Sequence, residues 1–297
     1  MTDRTGAVYD LGYEPYEGER NGRSGARRTV VADGLRRVLG LRRKGRRKVL
    51  PWALLLVAVA PAVVAVGASF LLPTGGSDQI EIVTANAGFF LLGGTIALLF
   101  ASLAAPELLI PDRSDGVLSM LASRPLTPGD YVAAKFASIA AIVFAFLLVP
   151  QITLYVGEAG THSQGLFAGF VDGADKLPKI LLVAGVYTIA YVPLAFVIAA
   201  LTKRKAVASS IFIALSLGLA GIGETIVRET NFAAARWIAL LSPIDDANAV
   251  NLWVFDEHGE ENLLDYADIH PLFGLLSLVV LGIACVFFVY RRYRRIM

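Results

Sequence analysis

Residues 106–135 read PELLIPDRSDGVLSMLASRPLTPGDYVAAK. This polar run, broken by four prolines, stands between uncharged apolar stretches at 82–106 and 136–157. Each stretch is long enough for a helix to cross roughly 30 Å of hydrocarbon. The same pattern recurs outward from it, at 49–77, 180–202, 206–223 and 271–290. The spacing therefore predicts an all-α polytopic membrane protein with six transmembrane helices. Helices rather than barrel strands follow because the spans are continuously apolar, without period-two alternation.

Composition agrees. Of 297 residues, 56% are hydrophobic and only 18% charged, too apolar for an ordinary soluble domain. The first apolar stretch begins near residue 50, too deep in the chain and too long for a cleaved signal peptide, so the mature chain is expected to keep its N-terminus. Basic residues set the orientation. The N-terminal segment carries 13 Lys and Arg, the connection after span two 3, the connection after span four 3 and the tail 4, whereas the other connections hold none, 2 and 2. Both termini are therefore expected in the cytoplasm, in a multi-pass protein of the cell membrane. Counted with the acids, the net charge of +2 divides into about +13 on the cytoplasmic face and about −11 on the outer face. The basic residues flank spans and anionic headgroups explain them, so no nucleic acid is expected as a partner. The lone Cys285 lies in the last span and excludes disulfides and thiolate metal sites within one chain.

Two regions follow. Residues 1–48 form a cytoplasmic N-terminal arm and an amphipathic helix, and 49–297 the six-helix domain. Val31, Leu35, Val38 and Leu39 recur at helical spacing among arginines, as in a helix lying in the membrane interface. A solvated basic stretch that merely enforces orientation is the alternative. The long connection 225–270 contains Ser242 and Pro243, a cap and first-turn proline that predict short external or re-entrant helices with Trp237 and Trp253 near the interface. A disordered acidic loop is the other reading.

Within 106–135, Pro106 is expected to close span two, and Pro111 to Gly116 to turn into a new helix bearing Val117, Leu118, Met120 and Leu121. Pro125 forces that helix to stop by Arg124. Thr127, Pro128 and Asp130 form a second start signal leading into span three. A rigid helix held between two breaks can pass a push into the spans on either side, which a floppy loop cannot.

This segment resembles the cytoplasmic loop of ABC-2 type transporter permeases, with its PE, DR, G, leucine-bearing helix and SRP pattern followed by a Tyr and a Lys entering span three. The arm DLGYEPYEGER, residues 10–20, looks like that of actinobacterial members. The resemblance implies a coupling helix between spans two and three that fits a groove on a separate ATPase subunit. Carried over, Glu107, Asp112, Arg113, Gly116, Ser123, Arg124 and Pro125 match the loop pattern, with Leu118 and Leu121 as the inserted apolar face. It also implies a second permease copy or homologue. Having no GxxxxGK[ST] loop and no soluble region large enough for a nucleotide-binding domain, the chain is expected to have no ATPase site of its own. ATP and Mg would be bound by the partner ATPase, and the chain itself would hold no cofactor.

No ionisable residue lies in the middle of any predicted span, which counts against an ion-coupled carrier. Asn86 and Thr95 in span two, Gln151 in span three, and Tyr187, Thr188 and Tyr191 in span four are candidates to line a substrate path; each could equally serve helix packing. An intramembrane hydrolase lacks its parts: His162, His258 and His270 all fall in external connections, and HExxH and GxSxG are absent. No catalytic or metal-binding residue is therefore expected. Asp245, Asp246, Asp256, Glu257, Glu260 and Glu261 are expected to form a solvated acidic surface, though they could bind a cation or a protein. The resulting expectation is an exporter permease driven by a separate ATPase, with an ATP-independent carrier or a non-transporting mechanotransmitting subunit as alternatives.

Overall fold

The computed structural model describes residues 22–41, 46–71, 86–118, 126–230, 234–257 and 262–295. The N-terminal arm before residue 22 and residues 119–125 of the expected coupling helix lie outside them. The elements are α1 (Gly22–Val38), α2 (Arg46–Leu71), α3 (Asn86–Ser114), α4 (Pro128–Thr161), α5 (Leu166–Asp172), α6 (Lys176–Leu201), α7 (Lys205–Glu229), a 3-10 helix (Ala235–Leu241), α8 (Pro243–Val254), α9 (Leu263–Tyr266) and α10 (Pro271–Arg294). Six of them, α2, α3, α4, α6, α7 and α10, are long and apolar enough to cross a membrane, with mean hydropathies of 2.0–2.9. The chain is an all-α, multi-pass membrane protein.

These six are unequal. The apolar windows of α6, α3 and α4 are 67%, 61% and 50% buried, whereas those of α2, α7 and α10 are at most 22% buried. The first three therefore make the inner layer. The stacked pair Phe100–Phe146, 4.8 Å between centroids, joins α3 to α4, and the edge-on pair Phe136–Phe196, at 5.7 Å, joins α4 to α6.

Two expected helix ends are corrected. Pro106 does not close the second span, because α3 runs on through Pro106 and Pro111 to Ser114. A proline inside a helix frees the carbonyl four residues earlier. Here that carbonyl is Ser102 O, and the Ser209 hydroxyl of α7 donates to it at 2.7 Å. A neighbouring helix thus replaces the bond that proline removes, as bundle interiors permit. The turn is also shorter than expected: residues 111–114 still belong to α3, only Asp115 and Gly116 turn, Gly116 at a φ of +69° that glycine adopts freely, and Val117 and Leu118 are helical again as expected. The second start signal behaves as expected. Thr127 caps α4 in a reciprocal capping box with Asp130, and Pro128 occupies the first turn.

The amphipathic helix α1 ends at Val38, ten residues short of its expected end, with Gly40 at φ +68° beyond it. It packs on α4: the Ser138 hydroxyl donates to Val31 O at 3.2 Å, and a Cβ on Gly34 would meet Ser138 Oγ at 2.5 Å. The two helices touch nearly backbone to backbone at that point.

Candidate functional site

One end of the bundle collects α1, the α3–α4 connection, Lys203 to Lys205 and the arginines after Tyr290; it is called the basic end. Three charged residues of the last turns of α3 each reach a different element there. Glu107 pairs with Lys205 at the start of α7. Asp112, 1% exposed, accepts from Arg37 of α1 at 2.6 Å and from Tyr131 of α4 at 2.9 Å, and pairs with Lys135 of α4 at 2.7 Å. The Arg113 guanidinium donates to the carbonyls of Ala199, Ala200 and Thr202, where α6 ends and has no helical N–H to offer them. The end of α3 is therefore a hub tied to α1, α4, α6 and α7.

Asp130 adds a second tie. Besides capping α4, it accepts from Arg23 and Arg27 of α1, each at 2.6 Å. These two guanidiniums are half exposed, so their contribution is small next to that of the buried Asp112 cluster. Tyr131 also packs against Tyr293 at the end of α10, 5.4 Å between ring centroids.

Leu118 is packed in the main core of the bundle and does not face outward. Leu121, Ser123, Arg124 and Pro125 lie outside the described residues. Sequence reasoning singled out Glu107, Asp112, Arg113 and Gly116, and the fold brings them together at one corner. It missed Arg37, Tyr131, Lys135 and Lys205 as their partners. Tyr131 and Lys135 stand one helical turn apart, a spacing that places them on one face.

The opposite end is built differently. The connection between α7 and α10 does not lie on top of the bundle as an acidic surface. The 3-10 helix and α8 fold back into it. The Tyr187 hydroxyl donates to Asn248 Oδ1 at 2.7 Å, and Tyr187 lies eleven residues into α6, about 16 Å along its axis. Asn251 Nδ2 donates to Ala87 O at 3.0 Å, and Gln151 Nε2 to Asn86 O at 3.1 Å. Ser242 caps α8 by accepting from Asp245 N, with Pro243 in the first turn. Ala247, Ala249 and Val250 of α8 are buried in the same packing.

Of the candidate path residues, Asn86, Gln151, Tyr187 and Tyr191 are brought close to this insertion, and Tyr187 links Phe90 to Tyr191 through ring contacts of 6.0 and 5.9 Å. Thr188 bonds back to Ala184 O at 2.7 Å. Thr95 faces out of the bundle and bonds Leu91 O. Gln151 Oε1 and Asn251 Oδ1 are buried acceptors without a hydrogen-bond partner. Such orphans are rare in a folded interior, which makes this polar seam the second candidate site.

The expected solvated acids need the sharpest correction. Asp246 is fully buried and Asp245 half-buried, while Asp256 at the end of α8 is exposed and pairs with Lys179 at 3.1 Å. Burial pushes the Asp246 carboxyl up to about 8 against the opposing effect of the nearby Ser277 hydroxyl, and the adjacent Asp245 adds to the rise. Asp245 is raised too, by burial first and then by Glu224, against the Ser242 bond. Burial likewise raises Glu257. Glu260 and Glu261 lie outside the described residues. Among the described residues no group of His, Cys, Asp and Glu could hold a metal ion. The chain matches no protein-family model and no curated protein.

Proposed function

We propose that the chain is the permease subunit of an ATP-driven ABC-2 type transporter, an exporter, working with a separate ATPase that binds ATP and Mg. In this reading the basic end is cytoplasmic, the protein sits in the cell membrane, and two permease copies or homologues enclose the path. The observation that carries it is the hub at the end of α3. Force applied to the connection 115–126 enters α3 and α4 directly, through Gly116 and the Thr127 cap, and spreads through Asp112, Arg113 and Glu107 to α1, α6 and α7. A connection that only satisfied orientation would need none of these ties. The exposed apolar faces of α2, α7 and α10 leave room for a second permease as well as for lipid.

The ion-coupled carrier keeps one observation in its favour, the buried Asp246, because an ionisable group held inside a membrane bundle is what such a carrier would use. Partner dependence separates the two. The variant Leu121→Asp combined with Arg124→Glu is expected to reduce co-purification with the P-loop ATPase, and the hydrolysis it supports, by about tenfold, the loss typical of an interface anchor. Leu118→Asp is a poorer probe, since Leu118 supports the chain's own core. Undiminished co-purification and hydrolysis in the double variant, or transport driven by an ion gradient with no ATPase present, would remove the ABC-2 reading.

A further inference from the structure

Asp246 has no exposed surface, and neither of its carboxylate oxygens has a hydrogen-bond partner. A buried carboxylate left in that state is unstable, so the group must carry a proton or a cation. Its surroundings favour the proton. Oδ1 rests against Gly274 of α10, 3.2 Å from where a Cβ there would stand. The polar side chain beside it is Ser277, one turn further along α10, whose hydroxyl donates to Leu240 O at 2.8 Å. With its own proton committed, Ser277 Oγ can accept a hydrogen bond but has none to give. A carboxylic acid can supply that bond; a carboxylate could be satisfied by Ser277 only if the Leu240 bond broke.

We infer that Asp246 is a proton-binding site: its carboxyl is protonated when α8 is inserted, and that proton seats α8 against α6 and α10. Loss of the proton leaves a bare charge between apolar walls, and the inserted arrangement gives way to one in which the carboxylate reaches water. The charged and titratable groups on the elements packed around α8 are few. At this end of the bundle, Asp245 is next to Asp246 on α8 itself, Glu224, Arg228 and Glu229 are on α7, Arg236 on the 3-10 helix, Asp265 and Tyr266 on α9, His270 at the cap of α10, and Lys176, Lys179, Tyr187 and Tyr191 on α6. Of these only Asp245 acts on Asp246 directly, and it opposes ionisation. Among the described residues no cation is in place to hold the charge: Lys176 and Lys179 pair with Glu158 and Asp256, Arg228 pairs with Glu224 and stacks on Tyr266, and Arg236 stacks on Trp237.

The direction follows from linkage. A carboxyl whose inserted form keeps its proton up to about pH 8, against an ordinary value of 3.8, favours insertion fully below pH 3.8 and progressively less as pH rises to 8. The ratio of inserted to released α8 should fall about tenfold per pH unit across that window. Hydrogen exchange of the α8 amides in the full chain in lipid nanodiscs, corrected for intrinsic rates, measures it between pH 5 and 9. Protection is expected to fall with pH in the wild type and to stay level in Asp246→Asn; Asp245→Asn, a check on folding, should keep the slope and move it to lower pH. Level protection in the wild type, or an unchanged slope in Asp246→Asn, would overturn the inference. So would Na+, K+ or Ca2+ restoring protection at pH 8.5 in the wild type alone, which would make the occupant a cation. None of these readouts depends on an ATPase partner.

Discussion

Lys135→Met should be among the most destabilising single changes in this protein, at about 3 kcal/mol, read as a lowered midpoint in denaturant unfolding of the detergent-solubilised chain. Lys135 and Asp112 are 3% and 1% exposed, and their heads stand 2.7 Å apart. Methionine keeps the apolar stem but removes the charge, leaving Asp112 with Arg37 and the Tyr131 hydroxyl as its remaining partners. The cost arises mainly from the carboxylate that stays behind. Adding Asp112→Asn should therefore recover much of the loss, although each change alone is harmful. A double variant no better than Lys135→Met alone would show that the cluster stabilises by shape and not by charge compensation. The same pair probes coupling, since losing the hub should lower partner-stimulated hydrolysis even where the chain still folds.

Gly94→Ala should cost about 3 kcal/mol from a single added methyl group, through overpacking and a lost hydrogen bond. A Cβ at Gly94 would stand 2.5 Å from Tyr187 Cε1, 3.0 Å from Cδ1 and 3.1 Å from Cζ, so the ring itself is in the way. Tyr187 is fully buried, stacks on Phe90 and holds Asn248 of α8 through its hydroxyl. Moving it to admit the methyl breaks the link between α6 and the folded-back segment. Gly185→Ala is the control two residues before Tyr187 on the same helix. A Cβ there meets nothing within 4 Å, and alanine favours helix over glycine, so that change should be neutral or stabilising. Equal effects of the two substitutions would show that the Gly94 contact is not specific.

Much of this architecture is legible one residue at a time. Long uncharged stretches can only be spans, and Thr127-Pro128-x-Asp130 can start only one kind of element, because local backbone chemistry decides both. Prolines mislead for the same reason. Pro106 and Pro111 are helix breakers in isolation, but whether they end α3 depends on a donor for the freed carbonyl, and Ser209 lies more than a hundred residues away. Glycine is a weak helix former, but the value of Gly94 and Gly34 lies in the Tyr187 ring and the Ser138 side chain that occupy the space a Cβ would take. The charged segment 106–115 was recognisable as a point of contact, yet its partners Arg37, Lys135, Lys205 and the end of α6 come from four separate elements.

Local composition by itself determined that the chain is helical, that it has six spans, and that charge is segregated between its two faces, because lipid forbids an unsatisfied backbone and an unpaired charge wherever they occur. Tertiary structure alone decided the fate of each remaining charge. Asp112 and Asp246 are both acids beside a span, indistinguishable by type. One is buried among a lysine, an arginine and a tyrosine, and the other among an alanine-rich helix, a glycine and a serine already engaged elsewhere. The state of a carboxyl depends on the groups within a few ångströms of it, and those are assembled only by folding.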